Sequence, residues 1–385
     1  MYSGVEVDVI SLGDADCTVV TQWQGFVPHR ILIDGGSGSD AEIILDFLRR
    51  RNSTDFWAVV CTHLHNDHAS GLIRLVRSNA ISFTHGLMHD ITKHATAGAL
   101  RRASADNEGV NEVIETTKEL ASAFARRGVT PIQPFAGMGI AKWPEMTVLG
   151  PSLPYYKSLI EEFTKVELAP APMPAWLGLA ALLGNTSHIG LPGLGELARA
   201  TPPDPSYGRL AALLQAPSPQ NSPAPAPPIF GVLGKSSVQK SPVTQPYNNT
   251  STILGVSFGG NRLLFTGDAG SEALSHLSLE WNRPAYMGVP HHGSDGNLSQ
   301  NDIERFRPQV AYISAKGDSS HPGRAIVSGL VKVGTSVAST HKSGNLWFAL
   351  GSVPARTDYA AVEWLRGTGS PQPAIDWLSV LSAMK

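Results

Sequence analysis

The chain has 385 residues, of which 42% are hydrophobic and 16% charged, a balance typical of a globular protein with a substantial core. Its formal net charge of −2 excludes a general attraction to nucleic acid, so phosphate contacts would need a local patch or a bound cation. Two cysteines, Cys17 and Cys61, exclude a disulfide framework and favour a reducing compartment. We find neither a signal-peptide pattern nor an uncharged apolar run of about 18 residues. A soluble, cytoplasmic protein with no membrane partner is expected.

The first part of the chain predicts mixed sheets covered by helices. Three strands come first, VEVDVI, CTVVT and RILID, followed by the helix DAEIILDFLRRR. The strand FWAVVCT and the helix HASGLIRLVRS follow. A strand follows at 81–88, and the stretch from Lys93 to Arg127 is predicted to be mainly helical with an interruption at 106–109. MTVLGPS is then a strand and PYYKSLIEEF a short helix.

Composition changes between Val166 and Tyr247, a stretch that holds 15 of the 28 prolines and few charges. This composition predicts an insertion that is in part polyproline-like. The insertion would either act as a lid over the active-site edge or be a tolerated surface loop. We therefore divide the chain into an N-terminal half (1–165), an insertion (166–247) and a C-terminal half (248–385).

Regular structure is predicted again after the insertion. STILGVSF and NRLLFTGD are two strands around a Gly-Gly turn, and PAYMGVP and QVAYISA are further strands. The helix HPGRAIVSGLVKVG and the strands SVAST and NLWFAL follow.

Two short motifs resemble catalytic signatures but lack the required context. GVSFG at 255–259 matches a serine-nucleophile pattern, yet a turn and a strand follow it where a helix is needed, so Ser257 is predicted to be a strand residue. GVLGKSS at 231–237 ends like a phosphate-binding loop, but Ile229 stands where the first glycine belongs.

Metal-binding side chains follow three predicted strands. His63, His65, Asp67 and His68 come after FWAVVCT, Asp268 follows NRLLF, and His291 and His292 follow PAYMGV. Imidazole and carboxylate groups bind Zn²⁺, Mn²⁺ or iron at neutral pH. Their occurrence at three strand ends, where they can converge on one sheet edge, predicts a metal site.

The pattern H-x-H-x-D-H, followed by the aspartate of TGD and by PHHGS, resembles the metallo-β-lactamase superfamily. Within it, VPHHGS and SSHPGRAIVSGLVKVG are similar to the hydrolase domain of the competence protein ComEC and its stand-alone relatives. The resemblance runs from Val5 to about Phe348 except for the insertion, and it places Asp34 at a structural aspartate. It implies an αββα sandwich, with two mixed β-sheets between helical layers.

The resemblance also implies two divalent metal ions, Zn²⁺ or Mn²⁺. His63 and His65 would bind the first metal and Asp67 and His68 the second, while Asp268 would bridge them. His292 would be the ligand of the histidine pair, with His291 facing the substrate. No histidine stands near VLGPSLPYY, where the family has a third ligand of the first site, so His89, His94, His188 or water is left to complete it.

This reading implies a metal-dependent hydrolase in which Asp67 orients an activated water, with a nucleic acid or nucleotide phosphodiester as substrate. The alternatives are a hydrolase of another ester (lactone, thioester or phosphocholine ester) and an interaction protein on a degenerate hydrolase fold. A polar rim is expected from His291, Ser294, Asn297, Lys316 and His321. His321 is predicted to contact the scissile phosphate or the leaving group, with Pro322 as the first residue of a helix whose N-terminus favours anions.

Overall fold

Thirteen strands in two mixed sheets form the centre of the computed structural model, which describes residues 1–140, 143–164, 246–318 and 320–365. In chain order they are β1 (Tyr2–Val9), β2 (Thr18–Gly25), β3 (Val27–Ile33), β4 (Asp55–Val60), β5 (Ser82–Leu87), β6 (Gly139–Ile140), β7 (Trp143–Gly150), β8 (Ile253–Phe258), β9 (Asn261–Phe265), β10 (Tyr286–Gly288), β11 (Val310–Ile313), β12 (Ser336–Ser339) and β13 (Leu346–Ser352). The six-stranded sheet has the order β13-β1-β2-β3-β4-β5, and the seven-stranded sheet has the order β12-β11-β10-β9-β8-β7-β6.

Helices cover the outer face of each sheet. The α-helices of the described ranges are α1 (Ala41–Arg50), α2 (Asn66–Arg77), α3 (Ala97–Asp106), α4 (Glu108–Arg126), α5 (Leu153–Thr164), α6 (Ser271–Ser275), α7 (Gln300–Phe306), α8 (Arg324–Lys332) and α9 (Thr340–Ser343). One apolar cluster lies between the first sheet and α1 to α5, a second between the two sheets, and a third between the second sheet and α6 to α8. This layering confirms the predicted αββα sandwich.

Strand β1 shows how the sequence selects these layers. Val5, Val7 and Val9 point into the core between the sheets. Glu6 and Asp8, which alternate with them, are also buried, and both accept hydrogen bonds from arginine side chains on the other face. Alternation at period two thus predicted the strand correctly, although here both faces are covered.

The helix predictions hold with shifted boundaries. Helix α2 begins at Asn66, two residues before its predicted start, so that His65 is its N-cap residue. The predicted interruption at 106–109 is the boundary between α3 and α4, where the Asn107 side chain accepts from the backbone N–H groups of Gly109 and Val110. Helix α8 begins at Arg324 after the N-cap Gly323, so the prediction that Pro322 is its first residue is wrong.

Strand directions bring several loops to one edge of the sandwich. Strands β3, β4 and β5 are parallel and so are β9, β10, β11 and β12, so their carboxyl ends lie on a common side within each sheet. Strand β2 is antiparallel to β3, with Thr18 opposite Ile33, so the residues before β2 share that edge. The metal-type side chains predicted from the sequence follow these strand ends.

The remaining predictions concern Ser257, the insertion and membrane-spanning segments. Ser257 lies in β8 ahead of a Gly-Gly turn, as expected. Residues 165–245 lie outside the described residues, so the structure leaves open both the insertion at 166–247 and the motif at 231–237. No helix within the described ranges is long and apolar enough to cross a membrane.

Candidate metal centre

The H-x-H-x-D-H segment turns from a buried strand into a helix. Strand β4 ends at Val60, and His63 and His65 occupy the loop before α2. Asp67 and His68 lie in the first turn of that helix. A rigid strand and a helix therefore hold the four side chains from both sides.

Asp34 fixes the orientation of His68. It is 1% exposed, lies just after β3 with φ of 59°, and accepts from the backbone N–H and hydroxyl of Thr62, each at 2.7 Å. Its Oδ2 is 2.8 Å from Nδ1 of His68. Because a carboxylate at Nδ1 keeps the proton on that nitrogen, the Nε2 lone pair of the neutral His68 ring is free to bind a metal.

Asp268 lies between two groups of ligand atoms. Its Oδ1 is 3.2 Å from Nε2 of His68, and its Oδ2 is 3.6 Å from Nε2 of His63. Both carboxylate oxygens and Nε2 of His68 are buried and lack hydrogen-bond partners in the described part of the chain. Buried polar atoms of this kind are costly unless a ligand satisfies them, so the residues fit a bound metal.

The first group consists of His63, His65 and Asp268, whose ligand atoms lie within 4.8 Å of one another. Burial, and to a lesser extent His68, holds the pKa of His63 well below its usual value, and burial also lowers the pKa of His65. Both imidazoles are therefore neutral at neutral pH, which is the state that binds a metal.

The second group consists of Asp16, His68, Asp268 and His292, again with ligand atoms within 4.8 Å of one another. Nδ1 of the buried His292 is 3.1 Å from the carbonyl oxygen of Ser314, to which it donates, so Nε2 is the atom left for a metal. Asp67 lies outside both groups, although its Oδ2 is 3.2 Å from Nε2 of His292 and 3.7 Å from Nε2 of His68.

The second group holds protons that a metal would displace. Burial lowers the pKa of His68, but Asp268 and Asp34 raise it well above its usual value. Burial likewise opposes charge on His292, yet Asp16 and Asp67 raise its pKa to about 9. The neighbouring carboxylates thus favour positive charge on His68 and His292. A divalent cation bound by the second group would supply that charge in place of the protons on the two imidazoles.

His291 lies on the more open side of the centre, with 31% of its side chain exposed. Nδ1 of its ring is 2.8 Å from Oδ1 of Asn297, and its Nε2 is 3.7 Å from Oδ2 of Asp268. Asn297 is 2% exposed and donates to the Asp268 carbonyl at 2.7 Å. Asn297 therefore does not line the polar rim as expected, because its side chain is buried and positions His291.

His321 lies in the loop between β11 and α8, as expected, but ahead of the first residue of the helix. Its ring centroid is 5.6 Å from that of His292 and 5.8 Å from that of His291. The helix N-terminus expected beside it lies further on, and the N–H of Ile326 there donates to Asp295 at 3.3 Å. The Asp295 carboxylate occupies that N-terminus, so a substrate contact by His321 is supported by the position of its ring alone.

The predicted replacements for a third histidine of the first site lie elsewhere. His89 is stacked on Tyr156 with a centroid distance of 4.5 Å, and His94 is 2.7 Å from Oε1 of Gln133. Neither belongs to the two ligand groups found among the described residues. His188 lies outside the described residues.

Two residues that sequence reasoning did not select belong to the centre. Asp16 precedes β2 in the segment GDAD. The antiparallel pairing of β2 with β3 puts the start of β2 at the edge that carries the ligands, and this pairing is the feature that could have identified Asp16. Tyr247, at the end of the predicted insertion, packs edge-on against His65 with centroids 4.6 Å apart. Neither residue is adjacent in sequence to the histidine motifs.

The two neighbouring histidines are expected to differ in metal binding. His292→Ala removes a buried member of the second group and should lower the metal content of the purified protein. His291→Ala should keep the metal content of the unmodified protein, because His291 belongs to neither group. Elemental analysis of the two purified variants checks this, and the reverse order of metal content would contradict the assignment.

Comparison with known proteins gives one family match. Residues 29–156, about a third of the chain, match the family model described as the metallo-beta-lactamase superfamily. Solved structures that match include a Thermotoga maritima chain provisionally described as a metallo-beta-lactamase, at 16% identity and a TM-score of 0.25. That match covers 38% of this chain and 66% of the other, slightly less than two thirds. No curated protein matches the chain.

Proposed function

We propose that this chain is a metal-dependent phosphodiesterase or nuclease of the metallo-beta-lactamase superfamily, whose family model matches residues 29–156. The family match covers the first strand end that carries ligands, and the fold supplies Asp268 and His292 from outside the matched stretch. The proposed substrate is a phosphodiester of a nucleic acid or a nucleotide.

Two ligand groups that share one carboxylate suit a pair of divalent cations. His63 and His65 would hold one ion, His68 and His292 the other, and the unpartnered oxygens of Asp268 face both. Such a pair of ions activates a water molecule as nucleophile near neutral pH and neutralises charge on the attacked group.

Asp67 is the residue that we assign to the proton of that water. Its side chain is 33% exposed, so the carboxylate borders the space open to substrate. Burial raises its pKa, but His68 and the hydrogen bond from His292 hold that pKa well below its usual value. A carboxylate kept ionised beside the ligand groups can orient a water by accepting its hydrogen at Oδ2.

The observation that carries the phosphodiester proposal is the histidine pair on the open side. His291 and His321 have ring centroids 5.8 Å apart and side chains 31% and 21% exposed. Lys316, in the loop that leads to His321, is exposed as well. Imidazole and ammonium donors at the opening favour a substrate with an anionic phosphoryl group over an uncharged ester.

A substrate panel tests the proposal. Purified protein loaded with Zn²⁺ or with Mn²⁺ is offered DNA, RNA, a cyclic dinucleotide, a lactone and a thioester. We expect metal-dependent hydrolysis of at least one phosphodiester, with none by the Asp268→Ala variant. Turnover of the lactone or thioester alone would favour the ester-hydrolase alternative, and absence of metal from the loaded protein would favour an interaction protein.

His321→Ala tests the role of the rim. We expect the variant to keep its metal and its fold but to lose transition-state stabilisation, seen as a lower kcat with a smaller change in KM. Loss of one hydrogen bond to a developing charge costs about 10²- to 10³-fold in kcat. The measurement is steady-state kinetics on the phosphodiester that the panel identifies, together with metal analysis.

His29→Ala is the matched control for this variant, because His29 lies in β3 at the end opposite to Asp34. Its kinetics should equal those of the unmodified protein. Unchanged turnover in His321→Ala would exclude the proposed role, and loss of metal would instead make His321 a ligand.

A further inference from the structure

We propose that Asp16 is a direct ligand of the second metal ion, supplied by the loop between β1 and β2. The inference rests on the proposed function in one respect, since it requires that the centre binds metal. The sequence motifs of the histidine loops and of Asp268 do not include this residue.

The distances place the Asp16 carboxylate among the ligand atoms. Oδ2 of Asp16 is 3.9 Å from Nε2 of His68, and Oδ1 is 3.8 Å from Nδ1 of His292. One ligand atom from each of Asp16, His68, Asp268 and His292 fits within 4.8 Å of the others. Ligands at about 2.0 to 2.2 Å from one ion are separated by distances of this order.

The backbone holds Asp16 in this place. Its N–H donates to the carbonyl of Asp67 at 3.1 Å, and its own carbonyl accepts from Gly36 at 2.9 Å. The preceding carbonyl, that of Ala15, accepts from the Ser314 hydroxyl at 2.8 Å. The residue is thus tied to α2, to the loop after β3 and to the loop after β11, each of which carries or supports a ligand.

A purely structural role does not account for the carboxylate. Within the described ranges its oxygens make no hydrogen bond, and the nearest basic atoms, on His68 and His292, are 3.9 and 3.8 Å away respectively. Such distances are too long for hydrogen bonds that would stabilise the folded core. The 3.9 Å between the carboxylate and Nε2 of His68 leaves space that a cation would fill, whereas Nδ1 of His292 already donates to the Ser314 carbonyl.

Asp14, two residues earlier, shows the contrast within the same loop. Its Oδ1 accepts from the backbone N–H of Lys316 at 2.8 Å and is 3.6 Å from Nδ1 of His321. The side chains of Asp14 and Asp16 are similarly exposed, at 28% and 23%. Asp14 therefore offers a matched control with the same side chain, loop and exposure, but outside the ligand groups.

The experiment is a Zn²⁺ titration of metal-free full-length protein, followed by calorimetry and by elemental analysis after desalting. Unmodified protein should bind two equivalents. Asp16→Ala should keep the first equivalent and bind the second more than about 100-fold more weakly, because loss of an outer hydrogen-bond partner alone costs about 10- to 100-fold. Asp14→Ala should bind both equivalents as the unmodified protein does.

Asp16→Asn repeats the test with the side-chain shape kept, and near-UV circular dichroism of each metal-free variant checks the fold. A second equivalent bound by Asp16→Ala within about tenfold of the unmodified affinity would overturn the inference while leaving the proposed function intact. Equal weakening in Asp14→Ala would also overturn it, since the loop as a whole would then be responsible. Failure of the unmodified protein to bind any metal would instead remove the proposed function.

Discussion

Asp268→Ala is expected to remove both metal ions and to abolish hydrolysis. Asp268 belongs to both ligand groups, with Oδ1 facing His68 at 3.2 Å and Oδ2 facing His63 at 3.6 Å. Burial opposes ionisation of Asp268, but His68 and His63 hold its pKa well below its usual value, so it is a carboxylate. Loss of Asp268 removes negative charge from both ligand groups, whereas His292→Ala removes a ligand from the second group alone.

The measurements are metal content after incubation with Zn²⁺ or Mn²⁺ and turnover of the identified substrate. Metal ions contribute several kcal/mol of transition-state stabilisation, so we expect a loss of about a thousandfold or more in kcat/KM. Asp302→Ala is the control, because Asp302 is also a buried aspartate but belongs to the capping box at the start of α7, where it accepts from the backbone N–H of the N-cap residue Ser299. That variant should lose about 1 kcal/mol of stability and keep both metals. Retention of two metals by Asp268→Ala would refute the shared-ligand arrangement.

Asp34→Ala is expected to have the largest effect on the free energy of unfolding. The carboxylate accepts three hydrogen bonds in the interior, two from Thr62 and one from His68. Removing it leaves buried donors and the His68 ring without partners, which costs about 3 to 5 kcal/mol when a buried charged pair is broken. Denaturant unfolding of the metal-free variant gives this value, and the second metal should be lost as well.

Two companion variants separate stability from ligand orientation. Asp34→Asn keeps the volume, and asparagine tolerates the positive φ, but its amide has one acceptor oxygen where the carboxylate has two, so the oxygen that accepts from Thr62 N–H leaves the N–H₂ group facing Nδ1 of His68. Affinity for the second metal should fall by about 10- to 100-fold while the first is kept. Thr62→Val removes one hydroxyl, leaves the bond between Asp34 and His68, and should cost about 1 to 3 kcal/mol with both metals retained. Equal metal loss in the two variants would contradict the orientation argument.

Local sequence patterns were sufficient to predict the elements near the centre. Alternation in β1, the apolar run of β4 and the helical spacing after His68 gave the correct element types, and the boundaries differed by a few residues. Helix α2 begins at Asn66 because His65 has the extended backbone of an N-cap residue, with ψ of 153°. Helix α8 begins at Arg324 although the preceding proline suggested an earlier start. Such termini depend on neighbouring groups, for example Asp295 at the start of α8.

Ligands adjacent in sequence to a strand end could be predicted because parallel strands deliver their carboxyl ends to one edge. His63, Asp268 and His292 follow β4, β9 and β10 in this way. His89 also follows a strand, β5, but it packs on Tyr156 in the apolar layer under the helices. Position after a strand end was therefore not sufficient for a ligand.

The sequence by itself determined the mixed sheets covered by helices, the histidine and aspartate motifs and the metal chemistry they favour, because period, strand ends and ligand type are local properties of the chain. The resemblance carried by those motifs added the expectation of an αββα sandwich. Only the tertiary structure decided that Asp16 stands with His68 and His292, that Asn297 is buried behind His291, and that the His321 ring lies near both histidines of PHHG. The reason is that these relations join loops far apart in sequence. Their geometry is set by the pairing of β2 with β3 and by the packing of one sheet on the other, which no local pattern records.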